Sequence, residues 1–376
     1  MIVHKFGGTS VGDAARFANV ADIVIEHHGC DENGAGQTAV VVSAMSGVTD
    51  RLIAGARAAA DGDDSAYRQI KASLLQQHLE CVERLLTRSQ ERLAVGGLVE
   101  DRLHELERLY RSIAVLGECT ARGYDAVSSV GEHLSASILA AALRERGVRA
   151  EAVSATGVIV TDARYGAASP HREATRQRMQ ERVKPLVERG TIPVVTGYVG
   201  ATQAGVTTTL GRGGSDFSAA LVGAGLDADE VWIWSDVDGI LTADPNIVPQ
   251  ARTLAELSYA EAATLAYVGA EVLHPSTLRP VVERTLMELG YPIDLVLRNT
   301  SQSTQAEIDA FNRLNDPNSP HRVILLVNKG TEGWDCPSLF ACALARKLKT
   351  SQNFVLQAST RCLRQVPGNF HKARIY

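Results

Sequence analysis

The sequence predicts an α/β protein built on a mainly parallel sheet with helices covering both faces. Three observations carry this. Short apolar runs of strand length alternate with stretches of helical periodicity, and several of the runs end in loops of glycine, serine and threonine. The chain has 376 residues, 45% hydrophobic and 22% charged, enough for a large α/β domain and something smaller.

Taken in order, Ile2–Phe6 reads as the first strand, followed by a glycine turn and a helix over residues 13–28. Residues 39–43 (Ala-Val-Val-Val-Ser) form a second β-rich run. Residues 151–161, 192–196, 231–234 and 293–297 are further predicted strands, with helices at 134–146, 217–223 and 260–267. The stretch 54–122 is different: rich in Leu, Arg, Glu and Gln, it spaces Leu74, Leu75, Leu79, Val82, Leu85 and Leu86 as a helix does. It is expected to be a helical excursion from the sheet, with a partner-binding helical arm as the alternative. Polar residues 299–305 and the turn-rich Asp316-Pro317-Asn318-Ser319-Pro320 mark a boundary near 300–320, and no internal repeat joins the two sides.

The composition excludes some function classes. A net charge of -5 gives no basic face for a nucleic-acid partner. Six cysteines stand at Cys30, Cys81, Cys119, Cys336, Cys342 and Cys362 without a Cys-x-x-Cys pair, which predicts a reduced, cytoplasmic chain. The N-terminus turns glycine-rich too early for a signal peptide, and no apolar run is long enough to span a membrane.

Four loops carry the candidate chemistry. In the first, Lys5-Phe6-Gly7-Gly8-Thr9-Ser10, the glycines let backbone N–H groups approach an anion, Lys5 adds a positive charge, and Ser10 is positioned to cap the next helix. Thr9 replaces the second glycine of a dinucleotide fingerprint, and the lysine precedes the glycines, unlike a P-loop. The second is Ser43-Ala44-Met45-Ser46-Gly47-Val48-Thr49-Asp50. The third runs over residues 207–216 and contains Gly211-Arg212-Gly213-Gly214-Ser215-Asp216. The fourth, residues 234–245, places Ser235, Asp236 and Asp238 after a predicted strand; alone, it reads equally well as two Asp-containing turns. Loops at the carboxyl ends of strands are where open α/β sheets bind ligands.

In order and spacing, KFGGTSVG from Lys5, VVSAMSGVTD from Val41, SVGEHLSA from Ser129, TTTLGRGGSDFSAA from Thr207, SDVDGILTADP from Ser235 and LSYAEAATLAYVGAEVLHP from Leu257 resemble the aspartokinase branch of the amino-acid-kinase family. The resemblance covers about residues 1–300. It implies a three-layer α/β/α sandwich and transfer of a phosphoryl group from ATP, with Mg²⁺ arriving on the nucleotide, to the side-chain carboxylate of L-aspartate. It also implies that Lys5, Gly7, Gly8 and Ser10 meet the phosphates, and that Lys5 and Asp236 serve catalysis. Glu132 and Arg212 would hold the substrate's ammonium and α-carboxylate, beside Thr49, Gly213, Gly214, Ser215 and Asp216. Ser235, Asp236, Leu241, Asn246 and Glu271 would line the nucleotide, with no protein-held metal. A kinase for another acidic amino acid, or a non-catalytic binding protein, are the competing readings.

The sequence departs from that family in two places. Leu241, Asn246 and Glu271 stand where members often carry tyrosine, arginine and lysine, removing two cations and adding an anion near the expected phosphates. After the kinase-like residues 1–303 and a linker at 304–322, the expected paired ACT regulatory domains do not follow. Residues 323–376 instead resemble the last motifs of a superfamily-2 helicase, in Val327–Pro337 and Gln357–Gln365, with Arg361 and Arg364 as the paired arginines. A homodimer is compatible with this reading.

Overall fold

The computed structural model describes residues 1–28, 37–235, 239–241, 250–256, 296–299, 309–310, 313, 323–326, 341–342 and 374–375. The chain divides into two compact units, Met1–Gly239 and Ile240–Tyr376.

The first unit opens with strand β1 (Ile2–Phe6), a single 3-10 turn at Gly8–Val11, and helix α1 (Ala14–His27). Asp13 caps α1 by accepting the Arg16 N–H at 2.9 Å. Ser10 therefore does not cap this helix, contrary to expectation. It sits inside the 3-10 turn, its own N–H donating to Gly7 O at 3.0 Å, three residues too early to reach the α1 amides. Strand β2 (Thr38–Val42) follows, then helices α2 (Val48–Ala60), α3 (Asp64–Leu85), α4 (Ser89–Leu116), α5 (Ala121–Ser128) and α6 (Val130–Glu145). Next come strands β3 (Ala150–Val153) and β4 (Val160–Thr161), helices α7 (Arg172–Arg182) and α8 (Lys184–Glu188), and strand β5 (Ile192–Thr196). Strands β6 (Val199–Thr202) and β7 (Thr207–Thr209), helix α9 (Gly214–Gly225) and strand β8 (Glu230–Trp234) complete it.

The central sheet runs β3-β5-β2-β1-β8, every pair parallel. The alternation of side chains along each strand explains its two covered faces. Phe6, Val40, Val42, Ile192 and Val194 enter one core with α1, α2, α3, α4 and α6, while Val3, Ala39, Val41 and Val195 enter a second core with α7 and α9. This is the three-layer arrangement that the resemblance implied. The predicted single strand over 151–161 is instead two, β3 in the central sheet and β4 in a small β4-β6-β7 sheet. A 3-10 turn at Ala155–Gly157 breaks the run between them. The β6-β7 hairpin and helices α7 and α8 were not read from the sequence.

The helical excursion is α2, α3 and α4. Leu74, Val82, Leu85 and Leu86 are buried in the first core, with Leu75 and Leu79 packed against it, so the leucine spacing is accounted for within the chain. Tyr110 fixes the stack: its ring lies 5.6 Å from that of Tyr67, and its hydroxyl donates to Leu52 O at 2.8 Å. Gly55 makes room for it, since a Cβ there would stand 2.4 Å from the Tyr110 oxygen. The stretch Ala121–Glu145 is apolar enough to cross a membrane, but 83% of its most apolar window is buried inside the protein.

In the second unit, β9 (Val296–Asn299) pairs in parallel with β10 (Val323–Leu326), and β11 (Ala341–Cys342) with β12 (Arg374–Ile375). The boundary expected at 304–322 thus lies between two paired strands, whereas the compact units divide at Gly239. The predicted helix at 260–267 and both helicase-like motifs lie outside the described residues.

Candidate active site

The loops expected to act together converge at the carboxyl ends of β1, β2 and β5. Gly7 and Gly8 leave β1 beside the loop after β2, where Ser43 N–H donates to Phe6 O at 3.1 Å. A Cβ on Gly8 would lie 2.9 Å from Ala44 O, so the first two loops touch only because residue 8 has no side chain. On the other side, Gly197 N–H donates to Val42 O at 2.8 Å, and a Cβ on Gly197 would meet Ser215 Oγ at 2.8 Å. The third loop, through Ser215, therefore closes over the end of β5.

Lys5 lies on the β1 face opposite Phe6 and pairs with Asp216 Oδ1 at 2.5 Å, the two side chains only 12% and 16% exposed. Its Nζ is 3.5 Å from where a Gly7 Cβ would be, which places the ammonium beside the glycine N–H groups. Asp216 belongs to the first turn of α9, whose N-cap, Gly213, takes the left-handed conformation at φ +71°. The ammonium, the loop amides and the helix N-terminus together form an electropositive end suited to an anion.

Glu132 stands in the first turn of α6 and is 3% exposed. Burial pushes its carboxyl up to about 8, against the pull of the backbone N–H groups of Glu132 itself and Ala44. Oε2 has no hydrogen-bond partner. A buried carboxylate oxygen without a donor is costly and suits a cationic ligand. The first turn of α6 packs on loop two, since a Cβ on Gly131 would be 2.6 Å from Ala44 Cβ and 3.0 Å from Val48 Cγ1. Thr49 follows Val48, half-buried in the first turn of α2.

Arg212 is exposed between Gly211 and Gly213, both at positive φ, and forms no ion pair among the described residues. Ser235 follows β8, whose Trp234 is in register with Phe6 of β1, so it leaves the sheet at the same end as Gly7. Leu241 bridges Thr253 in the second unit. Asp236, Asn246 and Glu271 lie outside the described residues.

Two further residues were missed in the sequence. Asp125 on α5 is 2% exposed and accepts hydrogen bonds from the third loop and its neighbour. Tyr198 follows β5 with φ +65°, its ring against Gly214 and its hydroxyl within hydrogen-bonding reach of the Thr209 and Ser128 side chains. No spacing signal marks either; a lone Asp in a helical stretch reads as a surface charge.

The profile of the amino acid kinase family matches residues 1–287. The lysine-sensitive aspartokinase 3 of Escherichia coli K12 is 36% identical over 291 residues, covering 75% of this chain and 59% of that protein. The aspartokinase of Saccharomyces cerevisiae is 33% identical over 293 residues, covering 75% of this chain and 54% of its own length. The structure is similar to that of E. coli aspartokinase III in complex with aspartate and ADP, at TM-score 0.67 and 35% identity, over 75% of this chain and 59% of that one. An aspartate kinase from Clostridium acetobutylicum is similar at TM-score 0.57 and 26% identity, over 74% and 57%. The chain thus spans under three fifths of the length of these relatives. With its parallel sheet, its converging glycine loops and a family profile over most of its length, the chain belongs to the amino acid kinase family.

Proposed function

We propose that the chain transfers the terminal phosphoryl group of ATP to the side-chain carboxylate of L-aspartate, giving ADP and 4-phospho-L-aspartate. The observation that carries this reading is Glu132. Its buried Oε2 lacks a donor beside loops that place Lys5 and backbone N–H groups at one sheet end. A substrate ammonium satisfies that oxygen. An N-acetylated substrate would bring a single neutral N–H and no charge to balance the carboxylate, which favours a free amino acid.

In this reading Lys5 neutralises the transferred phosphoryl group, and the N–H groups at Gly7 and Gly8 complete the cradle. Asp216 holds the Lys5 ammonium in place. Arg212 grips the α-carboxylate bidentately, which leaves the side-chain carboxylate as the attacking group. That carboxylate is already ionised at neutral pH, so no general base is required. Thr49 and Ser215 flank the substrate, and Ser235 and Asp236 are assigned to the nucleotide. Around Lys5 the described donor set offers Asp216, already paired with an ammonium. Such a set suits Mg²⁺ that arrives on the triphosphate, held by phosphate oxygens and water, where it neutralises phosphate charge.

The test is to trap the acyl phosphate with hydroxylamine in the presence of ATP and Mg²⁺. Aspartyl hydroxamate is the expected product. Hydroxamate from glutamate alone would reassign the substrate, and none from any acidic amino acid would refute the activity.

A further inference from the structure

Arg212 needs a fixed platform, because an exposed side chain between two glycines has little of its own to hold it. The structure supplies one. Asp125 projects from α5 into the protein, where Thr209 N–H and Thr209 Oγ1–H donate to it at 3.1 and 2.7 Å. Gly166 N–H lies 3.0 Å from each of its oxygens. It thereby joins the end of β7 to the 162–170 loop, which meet again where Ala168 N–H donates to Thr209 O at 2.8 Å. Gly211 lies against that loop, since a Cβ there would be 3.1 Å from Gly166 O. From the other side, Leu210 N–H donates to Tyr198 O at 2.8 Å, while Ser218 Oγ on α9 accepts the Tyr198 N–H at 2.9 Å. Residues 209–211 are thus held on both sides immediately before Arg212.

A carboxylate is a costly way to build such a junction. Among the described residues no cation pairs with Asp125, and burial pushes its carboxyl above the usual range despite the three donors. An apolar side chain in its place would avoid that cost but would leave the Gly166 and Thr209 N–H groups without this acceptor. What the carboxylate adds is direction: two acceptor atoms that fix the Gly166 and Thr209 amides relative to α5, on the chain segment that leads into α6 and Glu132. The junction therefore links the two groups assigned to opposite ends of the substrate's amino-acid moiety.

We infer that Asp125 is a positioning residue, which sets the distance between Arg212 and Glu132 through Thr209 and Gly166 and so selects for a free α-amino acid. This rests on the substrate reading above. The test uses the full chain carrying Asp125→Asn, with Thr209→Val as a milder variant that deletes only the hydroxyl donor. Hydrogen exchange is read first, because it needs no turnover. Peptides covering 163–168 and 207–213 should lose protection in Asp125→Asn while 2–6 and 192–196 keep theirs; unchanged protection overturns the clamp. In steady-state assays, Asp125→Asn should raise KM for L-aspartate about tenfold and Thr209→Val about threefold, with KM for ATP unchanged, as expected for lost ground-state positioning. In an Arg212→Ala background the Asp125→Asn effect should fall below about twofold, since the two act as one unit. A loss confined to kcat, or full additivity with Arg212→Ala, refutes positioning through Arg212. If the parent chain yields no aspartyl hydroxamate, the proposed function fails, and the exchange measurement still decides the clamp.

Discussion

Glu132→Gln separates binding from stability. In the free protein the Glu132 carboxyl titrates at about 8, against an ordinary 4.5. The sign follows from linkage: a carboxyl raised in the folded state costs nothing below its unfolded value, and its cost grows as pH rises from there to the folded value, where it levels off. At pH 7 the unfolded chain has released this proton and the native chain has not, a gap of roughly 2.5 units or about 3 kcal/mol. Glutamine removes that cost and keeps an acceptor for the Ala44 N–H, so Glu132→Gln should stabilise the free protein by about 2–3 kcal/mol at pH 7 and by more at pH 8.5. Urea midpoints at both pH values measure this. Substrate binding should move the opposite way, with KM for L-aspartate raised about a hundredfold as a charge-assisted contact is lost. Pairing with the substrate ammonium also ionises Glu132, so aspartate binding at pH 7 should release a large part of one proton. Titration calorimetry in buffers of different ionisation enthalpy reads that release. No proton release, or a variant less stable than the parent, would refute the assignment of Glu132 as a neutral acid awaiting an ammonium.

Three other outcomes follow. Lys5→Ala should lower kcat at least about a hundredfold, because the cradle loses its fixed positive charge; more than a tenth of parental activity in the hydroxamate assay would show that Lys5 is misassigned. His4 and His78 are fully buried, each pushed down to about 4 chiefly by desolvation. Native protonation is thus delayed, so stability is full above pH 6.5 and falls towards pH 4, by about 2 kcal/mol per histidine at pH 5; His78→Leu should remove its share in urea melts at pH 7 and pH 5, and an unchanged pH slope would refute the linkage. Gly55→Ala should cost about 1–2 kcal/mol, because the clash with Tyr110 outweighs the gain in helix propensity. Tyr110→Phe should relieve part of it, and an additive loss in the double variant would contradict the packing.

The first strand, the mainly parallel sheet and the helical excursion were legible because their signals are local. Ile2–Phe6 and Ile192–Thr196 are apolar runs with β-branched residues, and each was read with its observed bounds. The glycine loops were legible because only glycine tolerates the backbone approach that Gly8 makes to Ala44 O. Ser10 was misread because a capping residue is chosen by where the helix begins, and a 3-10 turn delayed that start to Asp13. The 151–161 run hid a break because its two ends share the composition of strands, while the 3-10 turn between them and their separate pairing partners are set by the tertiary structure.

What the sequence determined by itself was the set of chemical groups: an anion cradle at Lys5–Gly8, a guanidinium between glycines, and an acid at the start of a helix. The tertiary structure alone decided what those groups can do. It paired Lys5 with Asp216 across 211 residues of chain and sealed Glu132 from water, so that its proton is held at neutral pH. It also turned Asp125 from an ordinary helical acid into the junction beneath Arg212. Burial and long-range hydrogen bonding set the energy of a charged group, and neither is encoded in the residues adjacent to it.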